Sequence, residues 1–286
     1  IFVKQLILRY ARRAYALPGE RLFSLVVRTL SPFERVLFFV LVIGMGAGSF
    51  FLFTSVSRAV LVSIPERGGK LSEGIIGAPR LINPILALSD ADHDLTALVY
   101  SGLLKVRPEG GFDKDLAESY TKSDDGLIYT ATIRDNAVFH DDAPVTASDV
   151  VFTVKRIQDI KIDSPGRSLW EGVAVEAVDE KKVRFVLARA HDSFLEMLTI
   201  GILPRHLWLD VGSDEFQFNR LNTEPIGSGP YKITRVKKDA SDVPIAYHLS
   251  AFSKYALGEP YVAKISLYFH PNEAELLEAY NKGAID

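Results

Sequence analysis

The sequence predicts a mixed α/β body standing behind one transmembrane helix. Residues 36–57 form an uncharged apolar run of about 22 residues, several later stretches alternate apolar and polar residues with period two, and two carry a helix N-cap signature. With 286 residues, 48% hydrophobic and 24% charged, the chain has globular composition and enough length for two lobes. It holds no cysteine, which removes disulfides, thiolate metal ligands, a cysteine nucleophile and a lipid-modified cysteine tether. The net charge of −3 is uneven: residues 1–66 carry 8 Lys+Arg against 3 Asp+Glu, leaving 25 against 33 in residues 67–286. An acidic body argues against nucleic acid as partner.

Residues 1–35 are basic with apolar patches (Lys4, Arg9, Arg12, Arg13, Arg21, Arg28, Arg35) and are expected at a cytoplasmic membrane surface. At 1.5 Å per residue, residues 36–57 are long enough to cross a hydrocarbon core of about 30 Å. The basic flank favours a cytoplasmic N-terminus and an extracytoplasmic body in a single-pass arrangement. A cleavable signal peptide competes, with Ser55-Val56-Ser57 as the small-x-small site. The long basic region and long apolar core favour an uncleaved anchor. Gly44, Gly46 and Gly48 are read as small residues tolerated in a span. The chain opens at Ile1 without a methionine and stops at Asp286 directly after a predicted helix, so both ends are expected to be incomplete.

Residues 58–69, with Pro65, Gly68 and Gly69, read as a linker. A strand is expected over 70–76, a loop over 79–84 and a helix over 91–104 with Leu95, Leu98 and Val99 on its buried side. In the central stretch Leu127, Tyr129, Ala131 and Ile133 form the drier face of a strand. Thr146 with Asp149 three residues on caps a helix whose Val150, Val151, Val154 and Ile157 share a face. Residues 164–170 form a loop or helix start, 173–178 and 183–187 a hairpin, and 193–200 a short apolar helix. Strands follow over 230–236, 245–251 and 262–269. Asn272 with Glu275 caps a last helix, with Leu276, Leu277 and Tyr280 facing inward and Gly283 ending it.

The segment RDNAVFHDDAPVTASDVVFTVKRI, with Asn83-Pro84, LVYSGLL (98–104), DLAES (115–119), SDDG (123–126), PIGSGPYK (225–232) and AYNKGAID (279–286) around it, resembles the family 5 solute-binding proteins of oligopeptide and dipeptide ABC importers. Asp142 departs from the pattern, because the family has Gly at that point of the turn. The resemblance implies a periplasmic-binding-protein-like (class II) fold, two-lobed and incomplete. One lobe would comprise residues 67–100 and 205–286 and the other 101–204, with a further lobe lying beyond this chain. It also implies a peptide ligand, with ABC permease and ATPase subunits as partners. Carried over by position, the loop after Asn83-Pro84 reaches the ligand at Leu88, Ser89 and Asp90, and Gly166, Arg167 and Trp170 line the opposite wall. Core packing for Trp170 and a surface charge for Arg167 are the plain alternatives.

Catalytic patterns do not emerge. The histidines His93, His140, His191, His206, His248 and His270 lack ligand spacing, so no metal or cofactor is expected. His140 beside Asp141 and Asp142 reads as a solvated turn. Gly227-Ser228-Gly229 lacks the nucleophile-elbow spacing and leads into a strand, and no phosphate-binding loop of the G-x-x-x-x-G-K-[ST] form is present. The expectation is a non-enzymatic, membrane-anchored receptor. The alternatives are a receptor for a nickel chelate, opine or sugar, a sensory binding protein, and, remotely, an anchored hydrolase.

Overall fold

The computed structural model describes residues 30–60, 66–191 and 193–286. The expected basic segment 1–29 and residues 61–65 of the linker lie outside them. The chain divides into two units, 1–64 and 65–286.

In the first unit, helix α1 runs Pro32–Val60. The Ser31 N–H donates to Glu34 Oε2 at 2.7 Å, closing the first turn. Residues Pro32–Thr54 have a mean hydropathy of 2.5 and none of that stretch is buried. It is the one helix among the described residues long and apolar enough to cross a membrane. The helix passes Ser57, where the apolar run ends, because Arg58 and Ala59 are strong helix formers and neither Gly nor Pro interrupts before Val60.

The second unit is built on two four-stranded sheets. The first orders β1 (Gly68–Ile76), β10 (Val262–His270), β9 (Pro244–Ala251) and β8 (Tyr231–Lys238). β1 pairs parallel to β10, with Leu71 opposite Ile265, and the other pairs are antiparallel. β1 begins two residues before the expected strand, because Gly68 and Gly69 adopt positive φ and turn the chain into register. The second sheet orders β4 (Ala117–Lys122), β5 (Ile128–Ile133), β7 (Lys182–Leu187) and β6 (Val173–Ala177), all antiparallel. A small ribbon, β2 (Leu104–Val106) with β3 (Phe112–Lys114), completes the strands.

The central stretch folds as its pattern dictates. Tyr129, Ala131 and Ile133 of β5 are buried. Thr146 and Asp149 form the capping box of α3 (Ala147–Gln158), which packs against β6 and β7. Val150, Val154 and Ile157 are at most 1% exposed, and each such burial contributes roughly 1.5–3 kcal/mol. The aromatic core of this sheet gathers on Phe194, whose ring lies 4.6 Å from Tyr129, 5.5 Å from Phe185 and 6.2 Å from Trp170. Phe194 belongs to α4 (Phe194–Met197), shorter than the expected helix over 193–200 because the N–H groups of Leu198, Thr199 and Ile200 bond three residues back and the Leu198 carbonyl is taken by the Leu104 N–H at 3.0 Å.

Two further helix expectations are corrected. Helix α2 (Asp90–Val99) stops at Val99 rather than Leu104. Tyr100 turns extended there, and the Val99 carbonyl is taken by the Gly229 N–H at 2.8 Å instead of by a further helical turn. Helix α5 (Glu273–Asn281) is capped by Asn272 as expected, yet Leu277 and Tyr280 are 50% and 58% exposed. Leu276 turns toward β1, lying 3.3 Å from where a side chain on Gly74 would begin, while Leu277 and Tyr280, though their spacing puts them on the same side of the helix, stay largely in solvent.

Asp142 does sit in the left-handed region, at φ 71°, and so adopts the conformation that Gly takes most cheaply. Its ion pair with Lys254, at 3.0 Å with both side chains about 60% exposed, is worth well under about 1 kcal/mol. Asp142→Gly is therefore expected to leave stability unchanged or raise it by up to about 1 kcal/mol, read from the urea midpoint. A loss beyond about 1 kcal/mol would contradict this reading of the turn.

His140 is not a solvated turn residue. The Gly227 N–H donates to its Nδ1 at 3.3 Å, Nε2 lies 3.0 Å from the Gly229 carbonyl, and its own N–H donates to the Gly227 carbonyl at 2.8 Å. That arrangement selects the neutral tautomer with the proton on Nε2. Burial pushes the imidazole down from 6.5 to about 4, against the pull of the Gly229 carbonyl. The unfolded chain thus binds more protons than the folded one between these values, and stability rises with pH across that window. As pH falls from 6.5 toward 4 this contribution is lost. His140→Gln is expected to flatten the dependence of the urea midpoint between pH 6.5 and 4.5. An unchanged slope would contradict the clamp.

Candidate functional site

The loop between β1 and α2 is held by two buried polar hubs. Asn83, fully buried, donates from Nδ2 to Asn222 Oδ1 at 2.9 Å and accepts the Ile85 N–H on Oδ1 at 3.1 Å. Asn222 Nδ2 in turn donates to the Phe216 carbonyl at 2.7 Å. The Asn83-Pro84 pair thus ties the loop to residues 216–222, which lie more than 130 positions away in the chain.

Asp92 is the second hub. It is 2% exposed, and its carboxylate accepts the backbone N–H groups of Arg80 (2.7 Å), Leu81 (2.9 Å), Ser89 (3.1 Å) and Leu88 (3.4 Å). Burial by itself would raise its pKa, but the donors from Leu81, Arg80 and Ser89 outweigh it and hold the carboxyl below the ordinary 3.8. Ser164 Oγ donates to the Ile85 carbonyl at 2.7 Å and joins residues 164–170 to this loop.

On this frame Leu88 is 71% exposed and Asp90 is also exposed. The Ser89 hydroxyl accepts the Asp92 N–H at 3.2 Å, so it serves the N-cap of α2. Leu88 and Ser89 border a cleft of about 610 Å³, completed by Arg80, Gln217 and Phe218. Gly166 and Trp170 border another cleft of about 570 Å³, with His191, Met197 and Ile200. Trp170 is 3% exposed and packs on Phe185, so its ring belongs mainly to the core. Arg167 stands exposed at the start of a 3-10 turn, Arg167–Trp170. Of the residues foreseen from the sequence, Leu88 and Ser89 line one cleft and Gly166 and Trp170 a separate one, while Asp90 and Arg167 line neither.

Sequence reasoning missed Arg80 and Phe218. Phe218 is 86% exposed while Phe216, two residues earlier, is fully buried against Trp208 at 4.4 Å. The available signal was an aromatic in a polar loop with neither helical nor strand periodicity. Among the described residues no group of three or more His, Asp or Glu side chains could hold a metal ion.

Residues 111–286 match the family model of bacterial extracellular solute-binding proteins, family 5. The oligopeptide-binding protein AppA of Bacillus subtilis is 30% identical over 226 residues, 78% of this chain and 41% of the relative. The chain thus spans under half the length of that relative. The solved structure of AppA in complex with a nonapeptide superposes with a TM-score of 0.72, covering 78% of this chain and 44% of AppA. NikZ of Campylobacter jejuni in complex with Ni(L-His) gives 0.68 at 27% identity, covering 76% and 42%. MoaA of A. tumefaciens R10 in complex with mannopinic acid gives 0.66 at 26% identity, covering 77% and 44%. A shared order of motifs, the same fold and a family model matched over most of the body lead to one conclusion: the chain belongs to the family 5 bacterial extracellular solute-binding proteins.

Proposed function

We propose that this chain is part of a membrane-anchored receptor that captures peptides outside the cytoplasm and delivers them, unaltered, to the permease and ATPase subunits of an ABC importer. The observation that carries the reading is the likeness, at 30% identity and a TM-score of 0.72, to a protein solved with a nonapeptide. Peptide backbone offers the same N–H and C=O groups whatever its sequence, which suits a receptor of broad range. In this reading residues 67–100 with 205–286 form one lobe and residues 101–204 the other. Leu88 and Asp90 reach the ligand from one wall, with Gly166 and Arg167 on the other.

Helix α1 is the anchor, and the excess of Lys and Arg before it keeps the N-terminus cytoplasmic. Membranes washed with carbonate then retain the protein; a soluble mature form starting near Arg58 would replace the anchor with a signal peptide.

A second reading, a receptor for a non-peptide solute, draws on NikZ with Ni(L-His) and MoaA with mannopinic acid. Calorimetric titration of the full-length protein with mixed peptides, nickel with histidine, and mannopinic acid separates the two. Heat with peptides alone supports the proposal, and heat only with a non-peptide solute overturns it.

A further inference from the structure

The cleft of about 610 Å³ beside the Asp92 hub carries a chemical bias of its own. Leu88 and Phe218, 71% and 86% exposed, leave two large apolar side chains in water on its rim. Neither can readily withdraw. Leu88 is fixed by the N–H bonds of residues 88 and 89 to Asp92. Phe218 ends a 3-10 turn, Phe216–Phe218, whose other aromatic fills the core against Trp208, and its neighbour Gln217 is held by a 3.0 Å bond from Nε2 to the Ile162 carbonyl. Side chains held exposed on a rigid backbone are pre-organised to cover an apolar ligand group.

The polar side of the cleft is equally one-sided. Asp92 has its carboxylate saturated by backbone donors, so it has little capacity left to recruit a ligand cation. Arg80 is exposed, and only its backbone N–H is committed to Asp92. Among the described residues no carboxylate stands within ion-pair distance of its guanidinium, in contrast to Arg67 and Arg220 but in common with Arg167, Arg205 and Arg235. A free guanidinium beside an apolar rim is complementary to a carboxylate with an apolar neighbour.

We propose that this cleft is a specificity pocket for an apolar side chain adjacent to a free carboxylate, with Leu88 and Phe218 enclosing the side chain and Arg80 pairing with the carboxylate. The inference rests on the peptide-receptor reading and names the class of peptide preferred.

The test is calorimetry of the full-length protein with four probes: alanyl-alanyl-phenylalanine, its C-terminal amide, a phenylalanyl-glutamyl peptide amide, and trialanine. Wild type is expected to prefer the free acid over its amide by about tenfold, and Arg80→Gln to erase that preference. Phe218→Ala is expected to lower the affinity for alanyl-alanyl-phenylalanine by about fivefold or more while leaving trialanine unchanged. Both side chains are exposed, so thermal melts of the variants should match wild type. Tight, Arg80-dependent binding of the glutamyl probe assigns the carboxylate to a side chain, and its absence assigns it to the C-terminus; either supports the pocket. Variants that bind all four probes as wild type does would overturn the inference and leave the peptide-receptor reading standing. So would a wild type that binds mixed peptides but none of the four. Binding of no peptide at all overturns both.

Discussion

Asp92→Ala is expected to destabilise the body by about 3–5 kcal/mol, among the largest effects available to a single change here. The substitution leaves the N–H groups of Arg80, Leu81, Leu88 and Ser89 without their acceptor inside a site where Asp92 is 2% exposed. It also removes half of the α2 capping box. Asp92→Asn should fall between, because one amide oxygen remains while the NH₂ group opposes other donors. Asp90→Ala, exposed in the same first turn, should cost less than about 1 kcal/mol. The acid dependence has a definite sign. The folded Asp92 carboxyl lies below 3.8, so its stabilisation is complete above that value and disappears as pH falls through the folded pKa. The gap between wild type and Asp92→Ala should therefore be constant from pH 7 to 4.5 and narrow below 3.8. A full-sized gap persisting at pH 2 would show that the carboxylate is not what holds the loop.

Gly227→Ala should be as damaging, at about 3 kcal/mol or more. A side chain there would begin 2.1 Å from the Val99 carbonyl oxygen and 3.0 Å from the Tyr100 ring. The nearest atom is backbone and cannot rotate aside, so the segment from Gly227 to Gly229 must retreat from α2. The Gly229 N–H then loses the Val99 carbonyl, and His140 loses its two glycine partners. Gly229→Ala meets the Val99 carbonyl carbon at 2.6 Å and should behave alike. Gly212→Ala, with nothing within 4 Å and no positive φ, is the control and should change the urea midpoint little. If Gly227→Ala prevents soluble expression, hydrogen exchange of the Gly229 amide in wild type supplies the check. Protection comparable to that of the β9 and β10 amides is expected, and free exchange would contradict the clamp.

What the sequence disclosed was local. The Thr146–Asp149 box, the Asn272 cap and the alternation in residues 128–133 are decided by neighbours within four positions, and the strands and helices formed there. The left-handed Asp142 was also legible, since the turn pattern calls for glycine and the residue adopts φ 71° regardless. Distant partners decided the rest. The end of α2 depends on Gly229, some 130 residues on, and no propensity at Leu103 or Leu104 could reveal it. His140 looked like a turn residue because the N–H and the carbonyl that its ring meets, those of Gly227 and Gly229, sit 87 and 89 positions away. Leu88 was named from the resemblance by position and borders the cleft, but Arg80 and Phe218 become its neighbours through the Asn83–Asn222 hub. Trp170 illustrates the converse: its place between Phe185 and Phe194 follows from sheet packing, and an aromatic in a loop does not disclose which side it faces.

The most direct test of a receptor that grips peptides without altering them is native mass spectrometry of the full-length protein equilibrated with a defined peptide mixture. The account predicts one peptide per protein, each released at its original mass. Peptides released at reduced mass, or adducts formed only with a nickel–histidine complex, an opine or a sugar, would contradict it.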